Sequence, residues 1–263
     1  MPAGGIAVFA RLLRRLSSGI APRAFSGPPG QRLYAIGDVH GRRDLVDDLL
    51  ARIAEDIAER PVDSAALVFL GDLIDRGPDS AGVIERLHAL RDYPARALFL
   101  LGNHEEFLLR TLAAEPGVAE DWLAFGGAAC AESYGVAAAS LHALDEQRIA
   151  DRLRAAIPPA HVAFLEGFGD TIRFGDYLLV HAGIRPGVPI DEQQPHDLRW
   201  IREPFLSDAQ DHGCRVIHGH TISDGIDRRV NRIGIDTGAY RTGILTAAVI
   251  EGEDIRFMGT AAP

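Results

Sequence analysis

From Leu33 onward, two rhythms of apolar and polar positions take turns along the chain. Leu33–Gly37 is an unbroken apolar run closed by glycine, the pattern of a buried strand. Between Asp44 and Ile57 the period changes: Leu45, Leu49, Ile53 and Ile57 fall on one stripe of a helix. The pair then repeats, with strands predicted at Ala65–Leu70 and Arg96–Leu101 and helices at Ser80–Leu90 and Glu105–Leu112. Strands alternating with helices predict βαβ units and a largely parallel sheet. Residues 117–168 break the rhythm. They are alanine-rich and helical, punctuated by Gly126-Gly127, Gly135 and Pro158-Pro159, and are read as a helical insertion. Thr171–Phe174 and Tyr177–His181 flank Gly175-Asp176, which predicts a β-hairpin. Later strands are expected at Arg215–His218, Arg229–Ile235 and Ile244–Ile250, with a short last one at Ile255–Met258.

Residues 1–31 stand apart from the domain expected over 32–263. They carry no acidic residue. Phe9, Leu12, Leu13, Leu16 and Ile20 recur at helical spacing, with Arg11, Arg14 and Arg15 between them. Such an amphipathic stretch could touch a membrane surface or a partner; an extension packed on its own domain, or a frayed tail, is the preferred reading. The apolar stretch Ile6 to Ala10 is too short for a secretory signal.

A chain of 263 residues with 47% hydrophobic and 24% charged positions suits one large α/β domain. No apolar run approaches the roughly 18 residues of a membrane-spanning helix. The formal net charge of −10 leaves no global basic field, so no nucleic-acid partner is expected. All 27 basic residues are arginine, which excludes Schiff-base chemistry and the lysine-dependent phosphate loop. Cys130 and Cys214 form no disulfide framework, and a reducing, cytoplasmic compartment is expected. Val136 and His220 stand sixth after the two cysteines, where a cysteine-based phosphatase needs arginine.

The candidate chemistry sits where predicted strands end. Asp38-Val39-His40-Gly41 follows the first, Gly71-Asp72 through Asp75-Arg76-Gly77 the second, and Gly102-Asn103-His104-Glu105 the third. His181-Ala182-Gly183 closes the hairpin strand, and His218-Gly219-His220 a later one. Ligands of open α/β sheets bind at the carboxyl ends of strands, so the five clusters can converge on one crevice. Carboxylate, imidazole and amide oxygen together suit manganese, iron or zinc. Asp72 could bridge two ions through its two oxygens, and ions about 3.5–4 Å apart can share a hydroxide. A carboxylate holding an imidazole makes an oriented general acid, and Asp75 lies three residues after Asp72. Arg76 offers a planar fork for phosphate oxygens.

In order and content these motifs resemble the calcineurin-like metallophosphoesterases, and more narrowly the phosphoprotein phosphatase family and its bacterial and phage members. The resemblance covers roughly residues 32–250. It implies a two-sheet α/β/β/α sandwich with outer helices. It implies that Asp38 and His40 hold one metal, that Asp72 bridges, and that Asn103, His181 and His220 hold the second. It makes Asp75 and His104 an acid dyad and Arg76 a phosphate ligand. Arg202 is preferred to Arg199 as a second phosphate arginine, and Tyr240 is placed over the site. Two divalent ions are implied, manganese first, with in-line attack of a bridging hydroxide on phosphorus.

His88, His142, His161, His196 and His212 are read as structural, and Glu105 as orienting its neighbours. His218 is open between supporting the site and facing the other side of its strand, with support preferred. The leading expectation for function is a phosphoprotein phosphatase acting on phospho-Ser/Thr of a protein or peptide; Gly102-Asn103-His104-Glu105-Glu106 favours it. The alternatives are a symmetrical dinucleoside tetraphosphate hydrolase, which shares most of the motifs, and a non-catalytic scaffold on the same fold.

Overall fold

Strand alternation sorts the apolar residues of this protein into three interiors. On strand β1 (Gln31–Ile36), Leu33 and Ala35 point one way and Tyr34 and Ile36 the other. All four are buried, as a strand covered on both faces requires. The computed structural model describes residues 24–260. Two five-stranded sheets face each other. The first has the order β10-β9-β1-β2-β3, with β2 at Ser64–Phe69, β3 at Arg96–Phe99, β9 at Thr246–Glu251 and β10 at Asp254–Gly259. β1, β2 and β3 are parallel, while β9 and β10 run antiparallel. The second sheet has the order β4-β5-β6-β8-β7, with β4 at Thr171–Phe174, β5 at Tyr177–Val180, β6 at Arg215–His218, β7 at Asp227–Arg228 and β8 at Arg232–Gly234.

Leu33, Ala35, Val68 and Leu70 meet Leu179, Ile217 and Ile233 between the sheets. Tyr34, Ile36, Leu67 and Phe69 face helices α1 (Arg43–Glu59), α2 (Ser80–His88) and α3 (Asn103–Leu112). Leu178, Val180 and Val216 face outward onto Leu198, Ile201 and Phe205. The result is the α/β/β/α sandwich, with both sheets mixed rather than largely parallel.

Between residues 117 and 168 lie α4 (Val118–Trp122), a segment kinked at Gly126 (Leu123–Gly127), α5 (Ala128–Ser133), α6 (Glu146–Ala156) and α7 (Pro159–Glu166). The amphipathic stretch Phe9 to Ile20 lies outside the described residues. Phe25 packs against Tyr177, and the Gly27 N–H donates to the Gly252 carbonyl, just ahead of β1.

The strand expected at Arg229–Ile235 is shorter: only Arg232–Gly234 is extended, as β8, and it pairs antiparallel with β7, which precedes the expected start, tied by an Arg232–Asp227 ion pair at 2.6 Å. Val230 lies at the turn between them and is 78% exposed. Two short helices, α8 (Pro195–Trp200) and α9 (Ala239–Thr242), carry too few turns to show a period in the sequence.

Where β1 meets α1, the layers share a buried polar knot. The Tyr34 hydroxyl donates to Asp56 at 2.6 Å, and the guanidinium groups of Arg32 and Arg256 reach the same carboxylate. Burial works against the Asp56 charge, but these donors outweigh it and hold its carboxyl below the usual range. Removing Asp56 leaves the buried Arg32 and Tyr34 without their shared acceptor. Asp56→Ala should therefore cost about 3 kcal/mol at neutral pH, read from urea unfolding midpoints. Because the folded-state carboxyl is depressed, its contribution is full above the unfolded value of about 3.9 and fades as pH falls through the lower folded value. The gap between wild type and variant should narrow in acid; a loss under about 0.5 kcal/mol at neutral pH would show the knot to be neutral.

Candidate active site

Five parallel strands, β1, β2, β3, β5 and β6, release their chains toward one crevice at the edge of the sandwich. The turns that leave them are tight. Among the described residues, six non-glycine residues have positive φ, and five of them are His40, Asp72, Asp75, Arg76 and His220. Such conformations persist where surrounding contacts over-determine them.

Glu105 supplies much of that determination. Its carboxylate, fully buried, accepts from the backbone N–H of Asp72, Leu73, Ile74 and Gly102 at 2.7 to 3.3 Å. It thus fastens the turn after β2 to the start of α3. Glycine is needed beside it, because a Cβ on Gly102 would lie 2.3 Å from an Asp72 oxygen. Likewise a Cβ on Gly219 would lie 2.0 Å from Asp38 Oδ1, and that carboxylate accepts the His220 N–H at 3.0 Å.

All six expected metal ligands are buried, and the structure brings them together. Asp72 is central. Its Oδ2 faces His40 Nε2 at 3.6 Å and His104 Nε2 at 3.9 Å, and its Oδ1 faces His181 Nε2 at 3.4 Å. Asn103 Oδ1 lies 3.0 Å from His181 Nε2 and 2.8 Å from His220 Nδ1. Two overlapping groups, His40-Asp72-His104 and Asp72-His181-His220, could each hold an ion.

The donor set fits divalent cations on its own chemistry. His40 Nδ1 lies 2.9 Å from the Ile74 carbonyl, and His181 Nδ1 lies 2.8 Å from the Leu70 carbonyl. A carbonyl accepts, so each Nδ1 carries the proton and each Nε2 turns a lone pair toward the Asp72 carboxylate. Lone pairs facing a carboxylate repel unless a cation lies between them. Burial keeps these rings neutral, lowering His40 to about 3 and His220 to about 2. Burial also pushes the Asp38 carboxyl well up, with the charges of Asp236 and Asp72 adding to it. Asp236 itself is pushed up to about 6, chiefly by burial, and its Oδ2 has no hydrogen-bond partner. A crowd of buried carboxylates and neutral imidazoles is short of positive charge, and dications supply it.

Asp75 and His104 pair at 2.7 Å through His104 Nδ1, so Nε2 points back toward the Asp72 oxygens. Burial opposes a charge on His104, but Asp72 and Asp75 outweigh it and raise its pKa above the ordinary value. His104 Nε2 thus lies at one of the two ion-holding groups, with a charge on its ring favoured by both carboxylates. Arg76 Nη1 lies 2.8 Å from His40 Nε2, and its guanidinium sits 5.2 Å from the Tyr240 ring. Tyr240 stands edge-on to His40 as well, so it does overhang the cluster. Arg199 is spent on Asp170 at 2.7 Å and Glu106 at 3.4 Å. Arg202 is exposed, and its charge helps depress His181 and His220. His218 faces away from the site: the alternation of β6 turns it toward Phe205 and Arg232.

Two residues escaped the sequence reading. Asp236 follows β8 and lies beside Asp38; only its place in Ile235-Asp236-Thr237-Gly238 marked it. Trp122 is fully buried, and its indole N–H donates to both oxygens of Asp75 at 3.1 and 3.2 Å. The Gly126-Gly127 pair is the sequence trace of that contact, since a Cβ on Gly127 would strike the Trp122 ring at 2.2 Å.

A profile of the family described as calcineurin-like phosphoesterase matches residues 31–241. The chain belongs to that family. Curated relatives named bis(5'-nucleosyl)-tetraphosphatase, symmetrical, include one from Dechloromonas aromatica (strain RCB), 36% identical over 58% of this chain and 44% of its own length. Another, from Nitrosospira multiformis, is 30% identical over 72% of this chain and 56% of its own. The chain thus spans about half of these relatives, and only 25% of one from Janthinobacterium sp. (strain Marseille). A solved structure provisionally named a diadenosine tetraphosphatase superposes with a TM-score of 0.63 at 23% identity, covering 91% of this phosphoesterase and 100% of that chain. The cold-active protein-tyrosine phosphatase of a psychrophilic Shewanella shares the fold with a TM-score of 0.54 at 16% identity, covering 89% and 83%.

Trp122 offers a test of the dyad. Trp122→Phe keeps the ring but removes the donor to Asp75, so His104 loses orientation. Turnover of an alkyl phosphate such as phosphoserine should fall about tenfold, the worth of one hydrogen bond to a charged group. Turnover of p-nitrophenyl phosphate, whose leaving group needs little protonation, should fall far less. Equal losses on both substrates would argue against a link from Trp122 to proton transfer.

Proposed function

We propose that this phosphoesterase is a two-metal hydrolase of symmetrical dinucleoside tetraphosphates. The observation that carries the two-metal reading is the division of Asp72, with Oδ2 toward His40 and His104 and Oδ1 toward His181. The names of the relatives support the dinucleotide over the phospho-Ser/Thr protein or peptide favoured by sequence alone, because each of them is called a symmetrical tetraphosphatase. Asp38, His40, Asp72, Asn103, His181 and His220 would hold the two ions. Bound dications bring the pKa of water toward neutrality and draw charge from phosphoryl oxygens.

The rest falls to side chains. Arg76, partly open to solvent and steadied by Tyr240, grips non-bridging oxygens with its fork, and Arg202 is set to do the same from the other wall. His104, its Nδ1 proton held by Asp75, presents Nε2 to protonate the departing oxygen. Glu105 and the strained turns keep these groups in place before substrate arrives. Manganese is the proposed ion, since mixed carboxylate, imidazole and amide ligation accommodates it. No helix among the described residues is long and apolar enough to cross a membrane.

Two measurements test this reading. With Mn²⁺ supplied, kcat/KM should be higher for diadenosine tetraphosphate than for a phosphoserine peptide, and the dinucleotide should yield only ADP. A preference for the peptide, or release of ATP and AMP, would overturn the substrate assignment. Asp72→Asn removes the charge shared by both ion groups, so titration calorimetry should show tight Mn²⁺ binding lost; retention of two ions would refute the bridging role.

A further inference from the structure

The helices between 117 and 168 turn one aromatic side chain out to solvent beside the site. Phe125 is 56% exposed, while Trp122, three residues before it, is fully buried. A kink follows directly: the helical path breaks at Gly126, which takes φ 119°. Here the Gly126 carbonyl accepts the Arg76 N–H at 3.1 Å, and the Gly126 Cα packs against the Arg76 side chain. Phe125 is therefore fixed next to the residue that packs on Arg76, whose guanidinium is proposed to grip phosphate.

Its ring does not stand alone. Phe125 stacks on Phe107 with an interplanar angle of 16° and centroids 6.0 Å apart. Phe107 meets Trp200 edge-on at 4.8 Å. Trp200 is anchored through its indole N–H to Glu106 at 3.0 Å and lies two residues before Arg202. Phe107 itself follows Asn103 by one helical turn of α3. A row of aromatic rings thus runs from the kink beside Arg76 toward the segment that carries Arg202, and its outermost ring is 56% exposed. An exposed ring next to a residue that contacts Arg76 matches a ligand that joins a phosphate chain to a flat heterocycle.

We propose that Phe125 is the stacking platform for one nucleobase of the dinucleoside polyphosphate. This rests on the dinucleotide reading of the same site. Phe107 and Trp200 serve as positioning residues, because they back the platform without facing the ligand. Stacking on an aromatic ring tolerates any base, so adenine and guanine dinucleotides should both use it. The platform touches no reacting atom and acts on binding alone.

The test compares the full-length wild type, Phe125→Ala and Phe125→Trp with Mn²⁺ present. For diadenosine tetraphosphate, Phe125→Ala should raise KM about tenfold with kcat little changed, and Phe125→Trp should restore KM. For p-nitrophenyl phosphate, which carries no base, both constants should match wild type. Calorimetric binding of a methylene-bridged diadenosine tetraphosphate analogue should weaken by the same factor, while inorganic tripolyphosphate should bind unchanged. A Phe125→Ala enzyme that matches wild type on the dinucleotide overturns the platform and leaves the dinucleotide reading intact. Equal weakening of tripolyphosphate and analogue also overturns it, by showing a disturbed Arg76. A wild type that cleaves phosphopeptide but not the dinucleotide overturns the underlying reading, and the platform with it.

Discussion

The site depends on one buried carboxylate that binds no proposed metal. Glu105 gathers the N–H groups of Asp72, Leu73, Ile74 and Gly102, which belong to turns that leave two different strands. Backbone donors at those turns have no ladder or helix to join, and leaving them unpaired in a dry interior would cost about 1–3 kcal/mol each. One carboxylate satisfies four of them. In doing so it helps keep Asp72 in a left-handed conformation that costs on the order of 1–3 kcal/mol, while Ser80 and Gly126 take the N–H groups of Asp75 and Arg76. The charge on Glu105 has its own cost, and burial pushes its carboxyl up to about 7. The strain is thus offset by a group whose ionisation is itself expensive, which ties the geometry of the ligands to the electrostatics around them.

The helices between 117 and 168 act on the site from two sides. Inward, Trp122 completes the hydrogen bonding of Asp75, whose other partner is His104. Outward, Phe125 tops the aromatic wall that runs to Trp200. The kink at Gly126 follows both residues and ends their helix beside Arg76. Gly126 and Gly127 are required at close contacts with Arg76 and Trp122, so the double glycine serves the site as well as the helix. In the sequence it read as punctuation.

Much of the site was legible in the sequence because its residues sit where strands end, and strand ends can be found from apolar periodicity. Asp38, Asp72, Asn103, His181 and His220 all follow runs that alternate or saturate with apolar residues. Topology brings them together whatever the loops do. The less legible parts depend on side-chain direction or on tertiary packing. His218 and His220 lie in one motif, yet β6 ends at His218, whose ring packs on Phe205, and His220 turns away from it at a positive φ. Arg199 and Arg202 differ only in their neighbours, and Asp170 and Glu106 claim the first. The β7–β8 hairpin was not legible because β7 spans only two polar residues, Asp227 and Arg228, and Val230 at the turn faces water. Trp122 lies 47 residues from Asp75, and no local pattern announces a contact of that span.

The charge balance places a final constraint on how such a site can work. A chain with net charge −10 repels a polyphosphate at long range, yet its proposed substrate is one. Screening limits that repulsion to about 8 Å at physiological ionic strength, so the attraction must be local. Within that distance the positive charge comes from Arg76, Arg202 and whatever cations the Asp72 cluster holds. The arginines alone cannot neutralise Asp38, Asp72 and Asp236 and also bind phosphate. Cations held by the Asp72 cluster would relieve that surplus of acid, because without them the crevice presents carboxylates to an anion. With charge committed in this way, an uncharged contact such as an aromatic ring is left to distinguish one phosphate ester from another.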